Sequence, residues 1–294
     1  MPVRETAFKP QAPADPVAVN SRAYWNHRFG SDWEARGGPN QSRFFATVLL
    51  TWLPPDVRAE ITSGRLSICD WGCAEGDGTS LLAAAFPESP VTGIDFSEVA
   101  IARGAGKYPS IAFKTGDVDA VADGHDVIVT SNVLEHLEDP WHTAATLAHA
   151  ARRYLVVLVP FLDTSDDPEH RYVFGPLDLC EHLDTDLYLA EARVIDTREI
   201  PLSRWVGAQL LAVYRRSSTS RDAAAAEIAA LQKLQLAVEY ESGITDPAWP
   251  VSWHTVPGQL LPPLVYPPVT TYRFCLCEVA SGVVAPLRAN TLTW

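Results

Sequence analysis

The stretch from Leu66 to Phe96, LSICDWGCAEGDGTSLLAAAFPESPVTGIDF, constrains the fold more than any other part of the chain. An apolar run, Leu66-Ser67-Ile68-Cys69, ends in Asp70 and passes into a turn bearing Gly72, Gly76 and Gly78. Thr79 to Phe86 is rich in Ala and Leu, which lose little side-chain freedom in a helix. A second apolar run, Val91 to Ile94, ends in Asp95. Strand, glycine turn, helix, strand is the order of a unit with two parallel strands, whose ligand crevice lies beyond the strands' carboxyl ends. Glycines let the backbone approach a ligand there, and an acid ending the second strand can accept both hydroxyls of a ribose.

A dinucleotide site would show G-x-G-x-x-G, with the pyrophosphate on the helix N-terminus. This turn instead reads Asp70-x-Gly72-x-Ala74-x-Gly76, with Glu75 and Asp77 interleaved. Two carboxylates inside the loop repel a pyrophosphate and suit a ligand with an ammonium or sulfonium charge. Asp70-Trp71-Gly72-Cys73-Ala74-Glu75-Gly76 resembles motif I of the class I S-adenosylmethionine-dependent methyltransferases, with Ala74 in place of the usual middle glycine. The resemblance implies an α/β fold, a doubly wound, mostly parallel seven-stranded sheet with helices on both faces. It implies S-adenosylmethionine as cofactor and S-adenosylhomocysteine as product. It assigns Asp70, Gly72 and Gly76 to the methionine end, Asp95 to the ribose and Asp117 to the adenine, and counts Cys73, Ala74, Phe96, Val118, Asn132 and Val133 among the cofactor-binding residues. Cys73 has no paired base and reads as a packing residue.

His125 to Ser131 reads as a buried fourth strand, and Arg153 to Pro160 as a fifth. Asn132-Val133-Leu134-Glu135-His136-Leu137-Glu138-Asp139-Pro140 follows the fourth strand and resembles the Leu-Glu-His segment that precedes Asp-Pro in many small-molecule methyltransferases. His170 lies in a long polar loop after the fifth strand. Both histidines therefore fall on the carboxyl edge. Histidine is the natural base near neutral pH, so His136 and His170, with Glu135 beside them, are the candidate catalytic residues. The bland alternatives are a helix-side histidine held by a carboxylate for His136 and a solvated loop residue for His170. Some relatives hold a divalent metal on Glu-x-x-Glu-His and a further His. Here Asn132 replaces the first Glu, removing a hard oxygen ligand, and no metal is expected.

Residues 1–20 are Pro- and Ala-rich and are expected to be loose. Residues 21–216 form the expected methyltransferase domain, opening with a helical cap whose Tyr24, Trp25, Trp33 and Arg43 are candidates for lining the cofactor cleft. A last strand pair is expected at Ala192 to Thr197 and Ala208 to Tyr214, and a short helix near 175–183. Residues 217–294 extend beyond this fold: a linker at Ser217 to Ser220, an Ala-rich helix from Arg221 to Tyr240, then a Pro- and aromatic-rich tail with an edge strand at Thr270 to Val279. The extension reads as a lid, an acceptor platform or a homodimer contact.

The net charge of −13 argues against a nucleic-acid partner, which needs clustered Lys and Arg. No apolar run reaches membrane-spanning length and no signal peptide is visible, so no membrane partner is expected. Five scattered cysteines form no disulfide framework and fit a reducing cytoplasm. The expected activity is methyl transfer to a small-molecule acceptor, with O-methylation of a sugar or natural-product scaffold and a His general base. The alternatives are N- or C-methylation, a non-catalytic cofactor-binding scaffold, and a nucleotide-sugar or NAD-dependent enzyme with a similar sheet.

Overall fold

The computed structural model describes residues 18–216, apart from 123, 164, 176–177, 179–182, 185, 198–199 and 201–206, and four strands within 234–293. Strands β1 (Ile68–Trp71), β2 (Val91–Asp95), β3 (Ala112–Thr115), β4 (His125–Ser131), β5 (Ala151–Phe161), β6 (Leu187–Asp196) and β7 (Ala208–Arg216) form one sheet in the order β3-β2-β1-β4-β5-β7-β6. The first five strands are parallel; β7 runs antiparallel between β5 and β6. The strand order reverses at β1 and β4, which opens a crevice at their carboxyl ends. This is the expected seven-stranded sheet, with both members of the last pair longer than their apolar runs.

Helices α1 (Arg22–Ser31), α2 (Gly38–Trp52), α3 (Pro55–Gly64), α4 (Asp77–Ala85), α5 (Glu98–Lys107) and α6 (Pro140–Ala150) cover the sheet. Side chains alternate across a strand, so each buried strand feeds two cores. Val127 and Val129 of β4 join Phe45, Leu49, Ile61 and Leu82 on one face, while Ile128 joins Leu147 and Leu155 on the other. Ser21, Ser97 and Asp139 cap α1, α5 and α6 by accepting the N–H groups of Tyr24, Ala100 and His142. Helix α3 was not foreseen. Pro54-Pro55 looks like a break, but a proline at the first helical position loses no hydrogen bond, and α3 starts on Pro55.

Two expectations for the extension fail. Leu234–Glu241 is a strand, β8, where the Ala-rich helix was expected to continue to Tyr240. Leu234, Leu236, Val238 and Tyr240 recur every second residue, the period of a strand. Strand β10 (Thr271–Ala280) is interior and not an edge: with β9 (Ser252–Thr255) and β11 (Val283–Thr293) it forms an antiparallel sheet in the order β11-β10-β8-β9. The remainder of the expected helix, 221–233, and most of the expected helix near 175–183 lie outside the described residues.

Candidate functional site

A cavity of about 1180 Å³ opens at the carboxyl ends of the parallel strands. Asp70 on β1, Asp95 on β2 and Asp117 after β3 all line it, so three neighbouring strands each contribute an acid. Thr79 Oγ1 donates to Asp70 Oδ2 at 2.6 Å. Asp95 accepts from Ser97 N and Ala74 N at 2.9 Å each, tying the motif loop to β2. Burial raises both the Asp70 and Asp95 carboxyls to about 6. Among the described residues no cation pairs with either.

The loop itself is built from left-handed turns. Gly72 has φ +79°, and a Cβ on it would lie 2.4 Å from Val133 Cγ2, so this loop packs directly on the one after β4. Ala74 stands at φ +50° in the motif's usual glycine position, a conformation that costs an L-residue about 1–2 kcal/mol. Gly72, Cys73, Ala74, Phe96, Asn132 and Val133 line the cavity. Gly76 and Val118 do not. Gly76 caps α4 at φ +79° beneath the Phe113 ring, and the Val118 N–H is taken by Asp117 Oδ1 at 2.8 Å.

Glu75 and Asp77 do not face a ligand either. Glu75 is fully buried between Arg103, at 3.1 Å, and Lys107, at 2.6 Å; Asp77 takes Arg43 at 2.5 Å and the Tyr108 hydroxyl at 2.7 Å. They clamp the loop to α2 and α5. Arg43 is therefore part of the clamp and not of the cavity wall. Cys69 and Cys73 are buried free thiols whose ionisation burial suppresses, consistent with a packing role for Cys73.

At the other end of the cavity the main-chain carbonyl of Glu135 accepts from Arg171 N and Tyr172 N at 2.7 and 3.0 Å. This pins the loop after β5 across the segment after β4 and brings the His136 and His170 rings to 5.2 Å. His136 Nδ1 lies 2.9 Å from the carbonyl oxygen of Glu169, which can only accept, so Nδ1 carries the proton and Nε2 is left for a ligand. Burial, helped by the charge of His170, lowers His136 to about 4. His170 Nδ1 donates to Asp163 Oδ2 at 2.7 Å. Burial opposes its charge, but Asp163 and the nearby Glu135 and Asp167 outweigh it and raise His170. Despite burial, the bonds from His170 and Ser165 hold Asp163 at about 2. Glu135, 1% exposed, is raised by burial to about 8.

Helix α1 closes this end. Tyr24, Trp25 and Trp33 line the cavity, and Trp25 meets His136 edge-on at 5.3 Å. The sequence reading missed Asn20, Arg28 and Glu169. Asn20 Nδ2 donates to the carbonyls of His136 and Glu169 at 2.9 and 2.6 Å; the Glu169 carboxylate accepts from Tyr24, at 2.5 Å, and from Arg28. Tyr24 and Arg28 are four residues apart on α1, a spacing that could have marked them.

A family model described as "Methyltransferase domain" matches residues 68–155, from β1 into β5. Residues 68–155 form a methyltransferase domain. Trans-aconitate 2-methyltransferase of Deinococcus radiodurans is 30% identical over 105 residues, 35% of this chain and 41% of that protein. The enzyme of the same name from Methylobacterium nodulans is 32% identical over 111 residues, 35% and 41% of the two chains. The match thus spans less than half the length of these curated relatives. Among solved structures, a chain from the complex of the Haloferax volcanii Trm112 methyltransferase activator with a methyltransferase shares the fold at a TM-score of 0.52 and 16% identity, covering 65% of this chain and 97% of that one.

The methyltransferase domain fits S-adenosylmethionine on its own chemistry. Asp70 and Asp95 are buried acids lacking a cation among the described residues, and this ligand carries sulfonium and ammonium charges. A divalent metal fits less well. Glu135, His136 and His170 place donor atoms within 4.8 Å of one another. Metal ligands must be deprotonated, however, and here burial raises Glu135 to about 8 while His170 Nδ1 is already paired with Asp163.

Proposed function

We propose that the protein transfers a methyl group from S-adenosylmethionine to a hydroxyl of a small molecule, a sugar or natural-product scaffold, with His136 as general base. The observation that carries this reading is the pairing of His136 Nδ1 with the Glu169 carbonyl, which leaves a neutral imidazole with Nε2 open at the cavity end opposite the buried acids. When bound, the cofactor supplies a methyl group already activated on a sulfonium. The chain's residues then have to orient the acceptor and receive its proton; orientation alone can supply roughly 7–11 kcal/mol. Asp70 takes the methionine end, Asp95 the ribose and Asp117 the adenine. The acceptor oxygen gives its proton to Nε2 of His136 as it takes the methyl group. His170 is held at Nδ1 by Asp163, which favours its charged form, so its part is to stabilise negative charge growing on the acceptor oxygen.

The curated relatives are named for trans-aconitate, so that compound is the comparison acceptor in the assay. The net charge of −13 supports a small molecule over a nucleic acid, and the scattered cysteines support the cytoplasm. The antiparallel sheet β8–β11 is a candidate homodimer contact or acceptor platform. The test is a methyl-transfer assay with labelled cofactor alongside calorimetry with S-adenosylhomocysteine. His136→Ala should lose turnover and keep affinity for S-adenosylhomocysteine; unchanged turnover removes His136 as the base.

A further inference from the structure

Among the described residues, the end of the cavity that would hold the acceptor has no open positive charge. The cationic side chains lining it are Arg28, Arg36 and His170, while His136 is neutral. Each already has a carboxylate. Arg28 meets Glu169 and, at 3.1 Å, Asp32; Arg36 reaches Asp32 at 2.6 Å; His170 reaches Asp163 at 2.7 Å. Glu135 and Asp167 line the same end, and Glu135 Oε2 is buried without a hydrogen-bond partner. The facing wall is aromatic: Tyr24, Trp25, Phe29 and Trp33.

A carboxylate entering here would either displace Glu169 or Asp163 from its partner or lie unpaired beside Glu135. Both are unfavourable, because a desolvated charge needs a counter-charge. A cationic acceptor would sit against the sulfonium of the bound cofactor, which repels it. An uncharged molecule avoids both conflicts. Its apolar face can lie on the aromatic wall while a hydroxyl reaches His136 Nε2.

We propose that the acceptor is an uncharged, hydroxyl-bearing molecule with an apolar face, and that the pairing of Arg28 with Glu169 and Asp32 makes the site reject polycarboxylates. The inference rests on the methyl-transfer reading and narrows its acceptor, setting this chain apart from relatives named for a tricarboxylate.

Calorimetry first establishes binding of S-adenosylhomocysteine; failure at this step overturns the methyl-transfer reading itself. The loaded wild-type protein is then titrated with trans-aconitate. No measurable binding is expected, and tight, saturable binding overturns the proposal. The double variant Asp32→Asn/Glu169→Gln leaves Arg28 without a counter-charge and should bind trans-aconitate about tenfold or more tightly than wild type. No gain in a variant that still binds S-adenosylhomocysteine overturns the role given to these pairs; Glu169→Gln alone serves if the double variant does not fold. Finally, labelled methyl transfer is measured on small-molecule extracts separated by charge. Label in the neutral fraction is expected, and label confined to the anionic fraction overturns the proposal.

Discussion

The main-chain carbonyl of Glu169 accepts the Nδ1 proton of His136 at 2.9 Å, and the carboxylate of the same residue is held by Tyr24 and Arg28 of the cap helix. One residue thus links the docking of α1 to the tautomer of the proposed base. Arg28→Ala should release Glu169 and let the imidazole turn. We expect turnover to fall roughly tenfold with little change in cofactor affinity, since orientation and not binding is lost. Nitrogen NMR of His136 should show a single Nδ1–H tautomer in the wild-type protein and a mixture in the variant. An unchanged spectrum would separate Glu169 from this role.

Gly72 should not tolerate a side chain. A Cβ there would meet Val133 Cγ2 at 2.4 Å, and the residue's φ of +79° disfavours any L side chain. Gly72→Ala should cost about 1–3 kcal/mol of stability. Calorimetry should also show weakened binding of S-adenosylhomocysteine, because the loop and Val133 both line the cavity.

The buried acids set a pH dependence of definite sign. Asp70 and Asp95 titrate at about 6 in the ligand-free fold, above the ordinary value of about 3.9. A raised carboxyl pKa favours the folded state only while the group is protonated. That contribution is complete below about pH 4 and is lost as pH rises through about 6. The ligand-free Asp70→Asn variant should therefore melt above wild type at alkaline pH, with the gap closing in acid. Affinity for S-adenosylmethionine should move the opposite way in the wild-type protein, falling as pH drops through about 6 and the acids lose their charge. Thermal melts and calorimetry across that range test both limbs.

Glu75 clamps the motif loop through Arg103 and Lys107. The carboxylate is fully buried, whereas both cations reach solvent, which screens the pair. Glu75→Gln should destabilise by about 2–3 kcal/mol in urea unfolding, toward the low end of the cost of breaking a buried pair. Lys107→Ala should cost less, because Arg103 still holds the carboxylate.

Local pattern was enough for the sheet and the cofactor end. Apolar runs ending in Asp70 and Asp95, separated by a glycine turn and an Ala-rich helix, imply parallel strands whose tips meet, because strand ends and turn chemistry are properties of a few adjacent residues. The same short-range signals put His136 and His170 on the carboxyl edge. Local pattern also misleads: the Ala-rich run favours a helix to Tyr240 where the every-second-residue apolar spacing of 234–240 makes a strand, and Glu75 and Asp77 read as ligand-facing acids where they clamp the loop. The sequence by itself thus determined which side chains stand at the sheet's carboxyl edge. Only the tertiary structure decided what each one does there. Asn20 and Arg28 each lie more than a hundred residues from Glu169 along the chain, and which carboxylate takes which cation, which imidazole nitrogen carries the proton and which acid stays unpaired follow from contacts and burial that no local stretch encodes.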